Sequence, residues 1–140
     1  MAAKIRPEIS KKNKYWIDKH RHYELKHFCL QYPKWKRAYQ SSPNISLSTM
    51  KSGSISSLHS NPTEREAIRK TRYLERIEMI ERVAKETDNE LHSYILKAVT
   101  EELSYTYLKA QTEIPCGRDM YYDRYRRFFW LLDKERDWYF

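Results

Sequence analysis

Residues 113–136 read EIPCGRDMYYDRYRRFFWLLDKER. Pro115, Cys116 and Gly117 interrupt any helix and admit a tight change of direction. Beyond them Tyr121, Tyr125, Phe128 and Leu132 recur at spacings of four, three and four, with Phe129 and Leu131 widening the stripe near its end. This predicts one helix from Arg118 to Arg136, about 28 Å long at about 1.5 Å per residue. The opposite face of its first turns carries Arg118, Asp119, Tyr122, Asp123 and Arg126, with Arg127 close by. The helix is therefore polar and cationic at its front and apolar at its back.

Upstream, Ser104 and Thr106 can each cap a short helix, YTYLKAQTE, with Tyr107 and Leu108 as its expected buried positions and Ile114 as a turn hydrophobe. A helix, a turn and a second helix over about 104–136 make a helix-turn-helix pattern. In that motif the front of the second helix enters the major groove while its rear is anchored in the core. Arginine can donate two hydrogen bonds to a guanine edge or a phosphate, and a tyrosine hydroxyl can reach a phosphate oxygen. The alternative is an ordinary helical hairpin in which Arg124, Arg126 and Arg127 pair with Asp119, Asp123 and surface acids.

Working outward, NPTE at 61–64 is a helix start, with Asn61 as cap, Pro62 in the first position and Glu64 completing a capping box. Tyr73, Leu74, Ile77, Ile80, Val83 and Ala84 then mark one amphipathic helix. Leu91, Tyr94, Ile95, Ala98 and Val99 mark another, capped near Asn89. Residues 41–62 hold nine serines and read as a flexible linker, or as a loop packed through Ile45, Leu47, Ile55 and Leu58. In the N-terminal region, 1–40, Trp16, Tyr23, His27 and Phe28 suggest a basic helix from Lys11 that stops at Leu30, before the Tyr32-Pro33 step. It reads as an arm that meets nucleic acid through Lys11, Lys12, Lys14, Lys34, Lys36 and Arg37, and equally as a region whose aromatics dock on the bundle while its lysines stay solvated; the two readings are compatible. The fold class expected is all-α: a small helical bundle over 63–140 with a basic helical N-terminal arm.

The charge is unevenly distributed. The 140-residue chain carries a formal net charge of +8, and residues 1–40 alone hold 11 Lys/Arg against 3 Asp/Glu. Such a balance favours a polyanionic partner. With 40% hydrophobic residues there is material for one modest core but little for a large enzyme cleft. Two distant cysteines, Cys29 and Cys116, suggest neither a disulfide framework nor a zinc knuckle, and a reduced, cytoplasmic setting is expected. His20, His22, His27 and Cys29 lie close in sequence but do not share a helix face, so no metal site is expected. Glu101 and Glu102 diverge on a helix, Cys116 has no general base, and no glycine-rich phosphate loop exists. The expectation is a non-enzyme without cofactors, and no apolar run long enough to span a bilayer is present.

The block LSYTYLKAQTEIPCGRDMYYDRYRRFFWLLDKER, with the NPTEREAIRKTRYLERIEMIERV helix before it and the YWIDKH…YP region, resembles small phage late-transcription regulators of the RinA and ArpU kind. The resemblance is strongest over about the last 35 residues. It implies a C-terminal helix-turn-helix like sigma-factor region 4, activation of late structural and packaging genes, and the cytoplasm of an infected or lysogenic bacterial host. It also implies that Arg118, Asp119, Tyr122, Asp123 and Arg126 occupy the base- and phosphate-facing positions. The partners expected are double-stranded DNA, with host RNA polymerase and a second copy in a homodimer as further candidates. One departure is that Cys116 and Gly117 stand where a Ser or Thr cap is common. The alternatives are a DNA-packaging subunit of the small terminase kind and an interaction module whose basic region grips RNA polymerase or a sigma factor.

Overall fold

A computed structural model describes residues 11–41 and 62–139. Among them there is no strand, and the chain is an all-α helical bundle. Its helices are α1 (Lys19–Leu30), α2 (Tyr32–Ser41), α3 (Pro62–Thr87), α4 (His92–Glu101), α5 (Tyr105–Thr112) and α6 (Arg118–Tyr139). The serine-rich stretch at 41–62 lies outside the described residues except for its ends, Ser41 closing α2 and Pro62 opening α3.

The N-terminal region departs from the single helix expected from Lys11. Residues 11–17 are turns, in which the Asn13 side chain accepts from the Tyr15 N–H at 2.8 Å. The helix starts only where the Asp18 carboxylate accepts from the His20 N–H at 3.0 Å, satisfying a first-turn donor. Its buried face is His22, Leu25, Phe28 and Cys29, which leaves Tyr23 and His27 exposed rather than on the docked face with Phe28. The Tyr32-Pro33 step ends one helix and begins another, because Pro33 falls in the first turn of α2, where a missing N–H costs no helical bond. Tyr32 and Trp35 are buried on α2, and the Trp35 ring meets Phe28 edge-on at 4.9 Å. Phe28, Tyr32 and Trp35 thus dock in the bundle while Tyr23 and His27 do not, and α1 and α2 are walls of the common core.

Helix α3 runs the length of the molecule beside α2. Tyr32 hydrogen-bonds Glu81, the Arg76 guanidinium lies 5.4 Å from the Trp35 ring centre, and the Lys70 ammonium 4.9 Å from that of Tyr39, so the two helices are antiparallel. Ile77, Ile80, Val83 and Ala84 are buried as the apolar spacing predicts, with Tyr73 and Leu74 half-buried. The corner that follows is built on Asp88 and not on Asn89. The Asp88 Oδ1 accepts from the N–H groups of both Glu90 and Leu91 at 2.9 Å, while Leu91, at the cap position of α4, offers no side-chain bond. Leu91, Ile95, Ala98 and Val99 face the core.

Helix α5 is held in place by its ends. Ser104 is the cap, its hydroxyl accepting from the Tyr107 N–H, and Thr106 is not. The buried pair is Tyr105 and Leu108; Tyr107 is half exposed, one step off the expected register, because Tyr105 turns inward to donate its hydroxyl to the Cys116 carbonyl at 2.7 Å. Both turns flanking α5 use glutamates in the left-handed region, Glu102 at φ 56° and Glu113 at φ 54°. Each N–H closes onto a carbonyl of the preceding helix, Ala98 and Lys109 respectively; of the residues that follow, Ile114 enters the core and Leu103 packs half-buried against it. Gly117 adopts no such conformation: it immediately precedes α6, its carbonyl accepting from the Tyr121 N–H at 3.0 Å.

Helix α6 carries the largest part of the core. Tyr121, Phe128 and Leu132 are fully buried, Phe129 and Tyr125 nearly so. They meet Leu25 and Cys29 of α1, Ile80 and Val83 of α3, Ile95 of α4 and Leu108 of α5 in one cluster. The left-handed glutamates supply a stability test. A side chain in that region costs about 1–2 kcal/mol relative to glycine, partly offset by the greater freedom of an unfolded glycine. Glu113→Gly and Glu102→Gly are each expected to raise unfolding stability by about 0.5–1 kcal/mol in urea denaturation; a loss of stability in both would refute the account of these turns.

Candidate nucleic-acid interface

At the front of α6 the five-residue turn 113–117 is fastened to α5 from both sides. Besides the Tyr105 hydroxyl on the Cys116 carbonyl, the Lys109 ammonium donates to the Ile114 carbonyl at 3.1 Å. Arg118 is exposed; it donates to the Thr106 hydroxyl at 3.1 Å and lies 5.5 Å and 5.9 Å from the ring centres of Tyr105 and Tyr122. Thr106, expected as a cap, instead fixes the first arginine of α6. Asp119 is exposed beside it. Tyr122 is half-buried, packed against Tyr121, Tyr105 and Tyr125 at 5.0–6.4 Å, so part of its ring belongs to the core.

The arginines that follow have different roles. Arg124 binds acids on both sides, its Nε donating to Asp88 Oδ2 at 2.8 Å and its Nη1 to Asp123 Oδ2 at 2.6 Å. This is the pairing that an ordinary hairpin would show. Arg126 differs: among the described residues it makes no hydrogen bond or ion pair, and its Nε is buried without an acceptor. The Nε of Arg127 is likewise buried and unpaired, while its Nη1 makes a long contact of 3.3 Å to the Tyr15 hydroxyl. Two neighbouring, half-buried guanidinium groups therefore stand without a carboxylate, although buried donors are nearly always satisfied in folded proteins.

The contact to Tyr15 joins this helix to the basic N-terminal segment. Tyr15 is buried, its ring edge-on to Trp130 at 5.5 Å, and the Lys14 ammonium sits 4.9 Å from its centre. The Lys134 ammonium lies 3.3 Å from the Trp130 ring centre, and that of Lys11 5.8 Å from Trp16. Lys11, Lys12 and Lys14 are thus exposed on a segment fixed to the flank of α6. Lys34, Lys36 and Arg37 are not part of this surface; they are exposed on α2, whose main packing partner is α3, and Lys36 approaches Glu81 at 3.7 Å. The six N-terminal cations proposed from the sequence hence divide between two places. Sequence reasoning missed Tyr15, Trp130 and Lys134; the spacing of four between Trp130 and Lys134 was the available signal.

Other titratable clusters have structural settings. His22 is buried against the Phe129 ring at 4.8 Å, whereas His20 and His27 are exposed. No group of three His, Cys, Asp or Glu side chains among the described residues could hold a metal ion. Burial pushes the Cys29 thiol well above its ordinary range and the Cys116 thiol upward too, so proximity to arginines does not make Cys116 a ready thiolate. Among the described residues no helix is long and apolar enough to cross a membrane. The sequence and fold match no family model, no curated protein and no solved structure.

Asp88 ties the α3–α4 corner to α6, and its titration reports on that tie. Burial alone would raise its carboxyl pKa, but the bonds from Arg124 and from the Leu91 and Glu90 N–H groups outweigh burial and hold it below the ordinary value. A depressed folded pKa gives stability that is present above the unfolded pKa, about 3.9, and is lost as pH falls through the folded one. Asp88→Asn keeps the cap acceptor and removes the charge. It should be less stable than wild type at pH 6–7, with the gap closing below about pH 4, as read from urea unfolding across pH. A constant gap would mean that the Arg124 contact contributes nothing through charge.

Proposed function

We propose that the chain is a sequence-specific duplex-DNA-binding protein, a transcriptional activator of the phage late-gene kind, whose α5–turn–α6 unit works as a helix-turn-helix. The observation that carries the reading is Arg126. Arg126 is half-buried on α6, its Nε enclosed without an acceptor, and it is unpaired among the described residues, in a bundle where Arg21, Arg82 and Arg124 all have carboxylate partners. Leaving a desolvated cation unmatched is unfavourable in the free protein and becomes favourable when a phosphate or a guanine edge meets it. Arg118, one face of the front two turns away, is preset over two tyrosine rings and can make a second such contact.

Asp119 and Asp123 on the same front lower the net charge there, which argues for selectivity over bulk attraction. An aspartate can accept from a cytosine amino group and repels a misplaced phosphate. Asp123 is already held by Arg124, whereas Asp119 is exposed and has no partner among the described residues. In this reading the buried rear of α6 sets the depth at which the front meets the groove. A packaging subunit would use the same surface in a ring of many copies; the assembly state in solution separates the two.

The test is a footprint of the purified protein over candidate late-promoter DNA, followed by Arg126→Ala. Loss of a guanidinium that contacts a base or a tight phosphate should weaken binding by about 1–3 kcal/mol with helicity unchanged. Wild-type affinity in the variant would remove Arg126 from the recognition face.

A further inference from the structure

Apart from the front of α6, a second feature is unexplained by folding needs. Lys11, Lys14 and Lys134 each sit against an aromatic ring, and the rings of Tyr15 and Trp130 are in edge contact with one another. Lys14 and Lys134 thus stand on two rings in contact, one on the N-terminal segment and one on α6, with Lys11 on the Trp16 ring of the same segment. The Tyr15 hydroxyl, accepting from Arg127, closes the connection between the two. Such an accumulation of like charge disfavours the free state unless an anion is met.

We propose that Lys11, Lys14 and Lys134 form a separate contact for the phosphodiester backbone of duplex DNA, sequence-independent and aligned with α6 by Tyr15. The proposal rests on the reading of the chain as a duplex-binding protein and adds the second site by which it holds the backbone. Phosphate is the ligand favoured over nucleobase because the ring faces of Tyr15 and Trp130 already carry ammonium groups, leaving them poorly open to a stacked base. Tyr15 is a positioning residue: buried itself, it keeps seven otherwise non-helical residues, 11–17, against the helix that enters the groove.

The test uses the full chain, a mixed-sequence 30-base-pair duplex and the matching single strand, with affinity followed from about 50 to 200 mM salt. The exposed double variant Lys14→Gln/Lys134→Gln should lower the slope of log affinity against log salt by about 1.8 on the duplex, about 0.9 for each lost phosphate contact. Tyr15→Ala removes no charge; it should keep the slope while weakening affinity roughly three- to tenfold, because the lysines must then be ordered at the moment of binding. Circular dichroism of both variants guards against unfolding. If the wild-type protein binds the duplex but the lysine variant keeps its slope, the backbone contact is overturned while the duplex-binding reading stands. If Tyr15→Ala binds as wild type, the positioning role is overturned. Tighter binding to the single strand than to the duplex would overturn the choice of ligand, and no binding to either at 50 mM salt would overturn both readings.

Discussion

The molecule is organised by the burial of one side of α6. Tyr121, Tyr125, Phe128, Phe129 and Leu132 leave water together, and every other packed helix except α2 supplies a main contact to the surface they create. Each such side chain is worth about 1.5–3 kcal/mol when fully buried, whereas an exposed ion pair contributes about 0–1 kcal/mol. The aromatic stripe therefore decides where α6 lies, and the ion pairs from Arg21 to Asp133 and from Arg82 to Glu135 only refine its rear. A helix so firmly held by one face has its other face fixed in orientation as well. That is the physical basis on which a surface of charged side chains can be preorganised in so small a protein.

The charges along α6 are sorted by this arrangement. Arg124 is turned toward the α3–α4 corner and neutralised by Asp88 and Asp123, and Arg136 lies over the Phe28 ring at 3.9 Å. Arg118, Arg126 and Arg127 make no ion pair with an acid among the described residues; Arg118 meets Thr106 and Arg127 meets Tyr15. Aromatic rings do much of the remaining work, since Lys14, Lys134 and Arg118 are all held by ring faces and not by carboxylates. A ring orients a cation without cancelling its charge, so these groups keep their field. The N-terminal lysines reach the same flank because Tyr15 and Ile17 are buried, not because the segment is helical.

Much of the fold could be read from periodicity, and the misses have physical causes. The stripe on α6 and the apolar positions of α3 and α4 were legible because long helices repeat their signal over several turns. The α1 start at Asp18, the α2 helix and the register of α5 were not, since each turns on a single side-chain bond or on Pro33 occupying a first turn, and none repeats. Gly117 was the expected bend, yet Glu102 and Glu113 take the left-handed conformations, because the burial of Ile114 and the packing of Leu103 against the core outweigh the backbone preference. At the candidate site Asp119 is exposed where the helix phase puts it, whereas Arg118 continues the phase of the apolar stripe and is exposed because it stands at the helix end, against Thr106 and Tyr105. That Arg124 would be paired and Arg126 not, and that Lys14 would sit near Arg127 while Lys34 would not, depends on contacts between elements distant in sequence.

The antiparallel register of α2 on α3 has a consequence for how the chain is held together. With Tyr32 at Glu81, Trp35 at Arg76 and Tyr39 at Lys70, the end of α2 falls within roughly two turns of the start of α3, about 10 Å at the helical rise. The twenty residues between Ser41 and Pro62 are far more than that gap requires. The placement of α2 on α3 is therefore set by the side chains packed between them and not by a taut covalent connection, since twenty residues can reach several times that distance.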